Sequence, residues 1–354
     1  MITLGWVRDR GLSRGGTSGV VIATALLAVV GALGASLYLV LAGSSSYDLI
    51  IIFGVNAVLV VGLQVLVGNT GIMSFGQMAF VSVGAYTAGI LSVPAAQKKG
   101  ILPHLPAFLR DHTLPVVPTL VIAGLAAAIV AVIIGPVFMR LTGIAAGITS
   151  FGFLVIMNGL IRNAKDYTRG NETFFGVPHS ATLPVVFGAL TAVVALAAII
   201  KWSRLGLRAR AVRDDPLAAE TAGISMLFSR LWPWVASGFI SGVGGALFAY
   251  QLTAFSPNSF YLAQTIPIVV MVVLGGANSV AGALVGTTLL TAWQEFVRNL
   301  ENGNVGPLHF GAVRGIAQLS IGIGLVLLLL ARPSGAIGSR EPQLSLRARS
   351  KKVH

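Results

Sequence analysis

The sequence has no cysteine and little charge. Zero Cys in 354 residues excludes disulfides, thiolate nucleophiles and Cys-ligated metal sites. Charged residues make up 10% of the chain, whereas soluble domains carry about 25%. Because 55% of the residues are hydrophobic and the mean hydropathy is +0.86, the shortage of charge excludes a soluble globule. The composition therefore indicates an integral membrane protein.

Acidic residues are scarcer than basic ones, with 11 Asp and Glu against 24 Lys and Arg and a formal net charge of +13. Such an excess would suggest nucleic-acid binding if the bases formed a patch on a folded surface. Here the bases flank apolar intervals, where anionic lipid headgroups attract them. We therefore expect membrane lipid as a partner and no nucleic acid.

Intervals without Asp, Glu, Lys or Arg predict the membrane spans, because a hydrocarbon layer about 30 Å thick needs roughly 20 apolar residues in a helix. Residues 49–97 are long enough for two crossings, and residues 231–294 for three if the middle helix is short or broken. One crossing each is predicted for residues 20–42, 116–139, 141–161, 183–200 and 315–331. We expect an all-α integral membrane protein with about ten transmembrane helices.

The basic residues also predict an orientation. Sixteen of the 24 Lys and Arg fall on the side that holds both termini, the turn 139–142 and the loop 201–230. By the positive-inside rule this side is cytoplasmic, in a cell (inner) membrane. The expected organisation is a cytoplasmic segment over residues 1–19, a membrane domain over residues 20–332 with a cytoplasmic loop at 201–230, and a basic cytoplasmic tail over residues 333–354, extended near the lipid headgroups.

The sequence offers no evident energy source of its own. Proton-coupled carriers place titratable residues inside the membrane, but here Asp48 and Glu295 lie at span ends and the five His fall in loops or the tail. None of the six Lys follows a Gly, which excludes a P-loop. A sodium-coupled carrier built from backbone carbonyls remains an alternative. A membrane enzyme is disfavoured, and no cofactor or metal is expected, because no His, Asp or Glu cluster accompanies the spans.

The loop 201–230 contains a short helix with readable ends. Asp215 is a suitable N-cap, Pro216 suits the first helical position, and Gly223 suits the left-handed position after the last turn. A body over residues 216–222 would be about 10 Å long. Its small residues between charged flanks fit a groove on another protein. The alternative is an ordinary solvated turn between two spans.

Two glycine-rich interruptions lie within apolar intervals. The first contains Gly68, Asn69, Thr70, Gly71, Ser74, Gly76 and Gln77, and the second is Gly275-Gly276-Ala277-Asn278-Ser279. A break of this kind needs protein or water to satisfy its backbone, so the first could line a path for a polar, uncharged or zwitterionic solute. The alternative is a tight turn between two helices at the cytoplasmic surface.

Three stretches in order resemble LivM-type permeases, the membrane subunits of branched-chain amino acid ABC importers. They are GNTGIMSFGQMAFVSVGAYTAGIL, RAVRDDPLAAETAGI and VVLGGANSVAGALVGTTLL, and the external loop YTRGNETFFGVP is similar more loosely. The resemblance covers residues 62–291. It implies the ABC importer permease fold and import of branched-chain or related amino acids. Urea or another small polar solute is the alternative within the same superfamily.

The resemblance also implies partners and site residues. The partners would be two ABC ATPase subunits, a second, LivH-like permease and an extracytoplasmic solute-binding protein. By analogy the ATPase would be contacted by Arg213, Asp214, Asp215, Ala218, Ala219, Glu220 and Gly223. The translocation path would include Gly71, Ser74, Gly76 and Gln77.

Overall fold

Helices dominate the molecule. The computed structural model describes residues 2–8, 45–103, 105–301, 320, 322, 335, 336, 338 and 340–346. The helices in this part of the chain are α1 (Ser45–Thr70), α2 (Gln77–Ser92), α3 (Ala95–Ile101), α4 (Ala107–Arg110), α5 (Val116–Phe138), α6 (Gly143–Asn163), α7 (Lys165–Thr168), α8 (Leu183–Trp202), α9 (Arg204–Asp214), α10 (Pro216–Thr221), α11 (Met226–Leu252), α12 (Leu262–Gly275) and α13 (Val280–Glu301). A 3-10 helix, Pro257–Phe260, lies between α11 and α12. The predicted helical class is confirmed.

A two-stranded sheet accompanies the helices in the described part of the chain. Strand β1 (Ile2–Arg8) pairs antiparallel with β2 (Arg340–Leu346), in a register that sets Ile2 opposite Leu346. The pairing brings together a segment near each end of the sequence. Neither strand was predicted, although the apolar residues Ile2, Leu4 and Trp6 recur at every second position, which is a strand pattern.

The number of spans differs from the predicted one. Within the described residues, six helices are long and apolar enough to cross a membrane, or seven if α2 and α3, which are bent by 118°, form one span. The count of about ten is therefore not confirmed. Two of the predicted spans, residues 20–42 and 315–331, lie outside the described residues, apart from single positions 320 and 322. Residues 231–294, for which three crossings are predicted, hold most of α11, all of α12 and part of α13; α12 is short with 14 residues, and α13 is not among the six candidate spans.

Proline residues mark several helix starts. Pro115 directly precedes α5, Pro184 occupies the first turn of α8 after Thr182, and Pro216 opens α10. The fixed φ of proline suits the first turn of a helix, where its missing N–H costs no hydrogen bond. Local sequence thus fixes where these helices begin, whereas their packing depends on the small residues that follow.

Helices α1 and α11 form the centre of the bundle. Helix α11 packs against α5, α2 and α1, and α1 also contacts α8. Glycine allows the closest of these contacts, because a Cβ on Gly84 of α2 would lie 2.1 Å from the carbonyl oxygen of Gly242 in α11. Small residues at such crossings are the usual basis of helix packing in membranes.

The outer helices α5 and α6 expose apolar side chains. Val121, Ile129 and Ile133 are exposed on α5, and Ile144 and Ile156 are exposed on α6. A soluble protein would bury such residues, whereas a lipid-facing helix presents them to the hydrocarbon. The chain is therefore a multi-pass membrane protein.

Polar side chains hold the connections at the C-terminal end of α11. Lys98 of α3 is fully buried, and its Nζ donates to the carbonyl oxygens of Leu109 at 3.0 Å and His112 at 2.7 Å. Nearby, Arg162 of α6 donates to the Oδ1 atoms of Asn158 at 2.7 Å and Asn258 at 2.6 Å. These bonds fix the loops at this end of the bundle, which is the end far from α10.

Candidate coupling surface and membrane path

The short helix α10 has the ends that its sequence predicts. The Asp215 carboxylate accepts a hydrogen bond from the backbone N–H of Ala218 at 3.0 Å, and Pro216 is the first helical residue. At the other end Gly223 has a φ of +76°, and the N–H of Ile224 donates to the Ala219 carbonyl at 3.0 Å. The last helical residue is Thr221, one before the predicted end. Both ends of α10 are therefore determined by local sequence.

A second helix, α9, precedes α10 and was not predicted. Its N-cap is Ser203, whose Oγ accepts from the backbone N–H of Gly206 at 3.1 Å. Gly206, Ala209 and Val212 are buried and recur every three residues, which is the helical period. This pattern is present in the sequence, but the arginines between its members make the segment read as a polar loop. Helix α9 packs against α11, α1 and α8, so it connects α10 to the membrane helices.

The seven residues predicted to contact an ATPase fall into two groups, those that face the bundle and those that are exposed. Ala219 is buried against the bundle, and Arg213 turns inward with its side chain 21% exposed. The remaining predicted residues are exposed, namely Asp214, Asp215, Ala218, Glu220 and Gly223. Leu217 was missed by sequence reasoning, yet it is 77% exposed on the same helix. A leucine between the acidic pair Asp214-Asp215 and Glu220 was the sequence signal that could have identified it.

The segment between α1 and α2 returns into the bundle. Helix α1 ends at Thr70 and α2 begins at Gln77, with Gly71 at a φ of +72°. The Gln77 amide contacts Ser237 Oγ, which itself donates to the carbonyl of Gly62 at 2.7 Å. Gly62 lies eight residues before the end of α1, or about 12 Å back along the helix axis. Residues 71–76 therefore run alongside the helices and do not form a tight turn at their ends.

The returning segment is held by few hydrogen bonds. The backbone N–H of Phe75 donates to Ser150 Oγ of α6 at 3.0 Å, and the N–H of Gly76 donates to Ser74 Oγ at 3.2 Å. Among the hydrogen bonds of the described residues, none reaches the carbonyl oxygens of positions 72–75. Non-helical backbone with free carbonyls at membrane depth is tolerated where it lines a water-filled cavity.

Gln77 belongs to a polar cluster inside this chain. Its side chain is 1% exposed, and its Nε2 donates to Ser237 Oγ at 3.0 Å and also to Ser241 Oγ. Of the predicted path residues, only Gly71 is exposed, whereas Ser74, Gly76 and Gln77 are buried. The structure brings the four together along one segment, with Gln77 joining α2 to α11.

Comparison with known families matches most of the chain. Residues 45–328 match the family described as branched-chain amino acid transport system, permease component. The chain belongs to this permease family. It is accordingly a membrane subunit of an ABC importer and not an enzyme.

Individual relatives agree with the family match. The permease is 26% identical to the high-affinity branched-chain amino acid transport system permease protein LivM of Salmonella typhimurium, over 86% of this chain and 72% of that protein. The LivM protein of Escherichia coli is also 26% identical, over 82% of this chain and 69% of its own length. A nucleoside ABC transporter permease protein, NupC of Lactococcus lactis, is 30% identical over 33% of this chain and 40% of its own. No solved structure matches the permease.

The two helix interruptions of the permease meet at the α10 end of the bundle. Gln64 Nε2 of α1 donates to the carbonyl of Ala277 at 3.3 Å, and a Cβ on Gly68 would lie 2.7 Å from the same oxygen. From the end of α8, Lys201 Nζ donates to the carbonyl of Asn278 at 2.6 Å. The described residues contain no cluster of three or more His, Asp or Glu that could hold a metal ion. This site is thus built from backbone, amides and fixed cations.

Proposed function

We propose that this permease imports branched-chain or related amino acids. The family match and the similarity to two LivM proteins support this substrate class. The complete importer would contain two ABC ATPase subunits, a second, LivH-like permease and an extracytoplasmic solute-binding protein. ATP hydrolysis would belong to the ATPase subunits, because no Lys in this sequence follows a Gly as a P-loop requires.

Helix α10 would be the surface that an ATPase subunit contacts. The exposed residues on and beside this helix, Asp214, Asp215, Ala218, Glu220 and Gly223, would flank Leu217, and Leu217 would enter an apolar pocket on the partner. The small side chains at positions 218 and 222 would allow the ATPase subunit to approach the backbone of α10 closely. Helix α9 and Ala219 would transmit the resulting displacement to the membrane helices.

The path would follow the returning segment, residues 71–76. Its free carbonyl groups and Ser74 offer polar contacts at membrane depth, and Gly71 and Gly76 keep the segment narrow. Gln77 would support the segment from within the chain, because its amide is already bonded to serines of α11. The second permease would supply the other wall of the passage.

The path would bind its solute weakly. Residues 49–97 contain no acidic or basic residue, and an amino acid zwitterion held tightly in apolar surroundings would need compensating charges. Passage would therefore be assisted by water, and the extracytoplasmic binding protein would set most of the selectivity. The α10 end, which is rich in basic residues, would face the cytoplasm together with both termini, in a cell inner membrane.

Transport by the reconstituted assembly tests this proposal. Proteoliposomes should contain the permease, its partner permease, the ATPases and the binding protein, and uptake of labelled leucine should be measured with and without ATP. We expect accumulation only with ATP and the full assembly. The permease alone should accumulate nothing under a sodium or proton gradient, and gradient-driven uptake by the isolated chain would instead indicate a secondary carrier.

Solute choice is tested in the same vesicles. The 30% identity with a nucleoside permease over 128 residues makes a nucleoside the second candidate. Leucine, guanosine and urea should be compared at equal concentration with the cognate binding protein. ATP-driven uptake of guanosine or urea without uptake of leucine would replace the amino acid assignment.

A further inference from the structure

Arg213 lies between the α10 surface and both helix interruptions. It is in the last turn of α9, two residues before Asp215, the N-cap of α10. Its Nη1 donates to the carbonyl of Gly68 near the end of α1, and also to Asn278 Oδ1 at 3.2 Å in the turn between α12 and α13. One guanidinium group of α9 therefore contacts two separate parts of the chain, the end of α1 and the turn between α12 and α13.

The contact with α1 has a physical reason. Helix α1 ends at Thr70, so the Gly68 carbonyl lacks the next N–H that a longer helix would supply. A cation that donates to such a terminal carbonyl satisfies it and complements the negative end of the helix dipole. Arg213 supplies this group from α9, and a Cβ on Gly71 would lie only 2.9 Å from Arg213 Cγ. The start of the returning segment is thus packed directly against the arginine.

The contact with Asn278 joins the second interruption to the same point. Asn278 accepts a hydrogen bond from Arg213 at its side-chain Oδ1 and another from Lys201 at its backbone carbonyl oxygen. Asp214, on the other side, binds the Arg213 Nε at 2.9 Å and holds the guanidinium in position. Any movement of the junction between α9 and α10 therefore acts on Gly68 and Asn278 together.

We propose that Arg213 and Asn278 form the link through which displacement of α10 moves both interruptions at once. The inference rests on the proposed function, and it assigns Arg213 a positioning role inside the permease and not a contact with the ATPase. A guanidinium suits this role because it offers several donors in a fixed plane, whereas a lysine ammonium is a single centre on a flexible stem.

The test measures solute taken up per ATP hydrolysed by the full assembly in proteoliposomes. Arg213→Ala and Asn278→Ala should each lower this ratio about tenfold while the ATPases still copurify and hydrolyse ATP. Because Asn278→Ala removes a contact that Arg213→Ala also removes, the double variant should be no worse than Arg213→Ala alone. Arg213→Lys should recover part of the ratio. Arg208→Ala is the matched control, since Arg208 is an exposed arginine of the same helix, and it should leave the ratio unchanged.

The ratio separates a positioning role from a merely structural one. A structural defect would lower ATP hydrolysis and uptake in parallel and leave their ratio at the wild-type value, which would overturn the inference. Additive losses in the double variant would also overturn it. If Arg213→Ala does not assemble, Asn278→Ala and Arg213→Lys decide the outcome. Absence of ATP-driven uptake in the wild-type assembly would overturn the proposed function and the link together, whereas an active wild type with unaffected variants would overturn the link alone.

Discussion

Side chains in the loop between α8 and α11 differ in direction more than in chemistry. Arg213 and Glu220 are both charged, but Arg213 faces the membrane helices whereas Glu220 faces away from them. Leu217 is apolar and yet is among the most exposed large side chains of the molecule. At the scale of single residues, orientation therefore separates groups that would bind a partner from groups that act inside the permease.

Replacement of Leu217 tests the outward group. Leu217→Ala removes an exposed anchor, and truncation of a central interface residue of this kind costs about 2 kcal/mol of binding free energy. We expect weaker copurification of the ATPase subunits and a higher dissociation constant in detergent. Leu160→Ala, at an exposed leucine near the other end of the bundle, is the control and should bind the ATPases normally. Equal binding by both variants would contradict the assignment of α10 as the contact surface.

Elements differ in how far local sequence determines them. The ends of α10 follow from Asp215, Pro216 and Gly223, each of which acts on its neighbours, so the sequence predicted this helix to within one residue. The return of residues 71–76 depends on Gln77 meeting Ser237, which is 160 residues away. The hydrophobic pattern predicted an interruption of the helix at residues 68–77. It could not predict that the chain after the interruption runs back into the bundle.

Gly76→Ala tests the position of the returning segment. A Cβ at Gly76 would lie 2.5 Å from the carbonyl oxygen of Ser150, so the segment must move away from α6. Overpacking of this kind costs about 1–3 kcal/mol. We expect normal assembly with the ATPases but a marked loss of uptake in proteoliposomes. Gly152→Ala, where a Cβ meets nothing within 4 Å, should transport normally.

The whole molecule has two ends of different character. The α10 end carries both interruptions and basic residues of the loop, whereas the other end carries the bonded loops around Lys98 and Arg162. The predicted spans at residues 116–139, 141–161 and 183–200 coincide with α5, α6 and α8, because length and absence of charge suffice to identify such helices. The sequence could not establish how the interruptions meet, since that arrangement arises only when α1, α9 and α12 pack together.

The absence of cysteine makes the orientation directly measurable. Glu220→Cys and Glu172→Cys each introduce a single thiol at an exposed position, at the α10 end and the other end respectively. A membrane-impermeant maleimide should label Glu172→Cys in intact cells and Glu220→Cys only after permeabilisation. The unmodified chain should take up no label. The reverse pattern would place α10 outside the cell and contradict contact with a cytoplasmic ATPase.

The buried ammonium of Lys98 gives the far end of the bundle a preformed shape. It binds carbonyl groups on two sides of its loop and is fully shielded from solvent, so the loop is ordered before anything touches it. A template that is already rigid loses little conformational freedom when another protein docks on it. A protein that docks on this face would therefore find its binding surface already formed, and little of the binding free energy would be spent on ordering the loop.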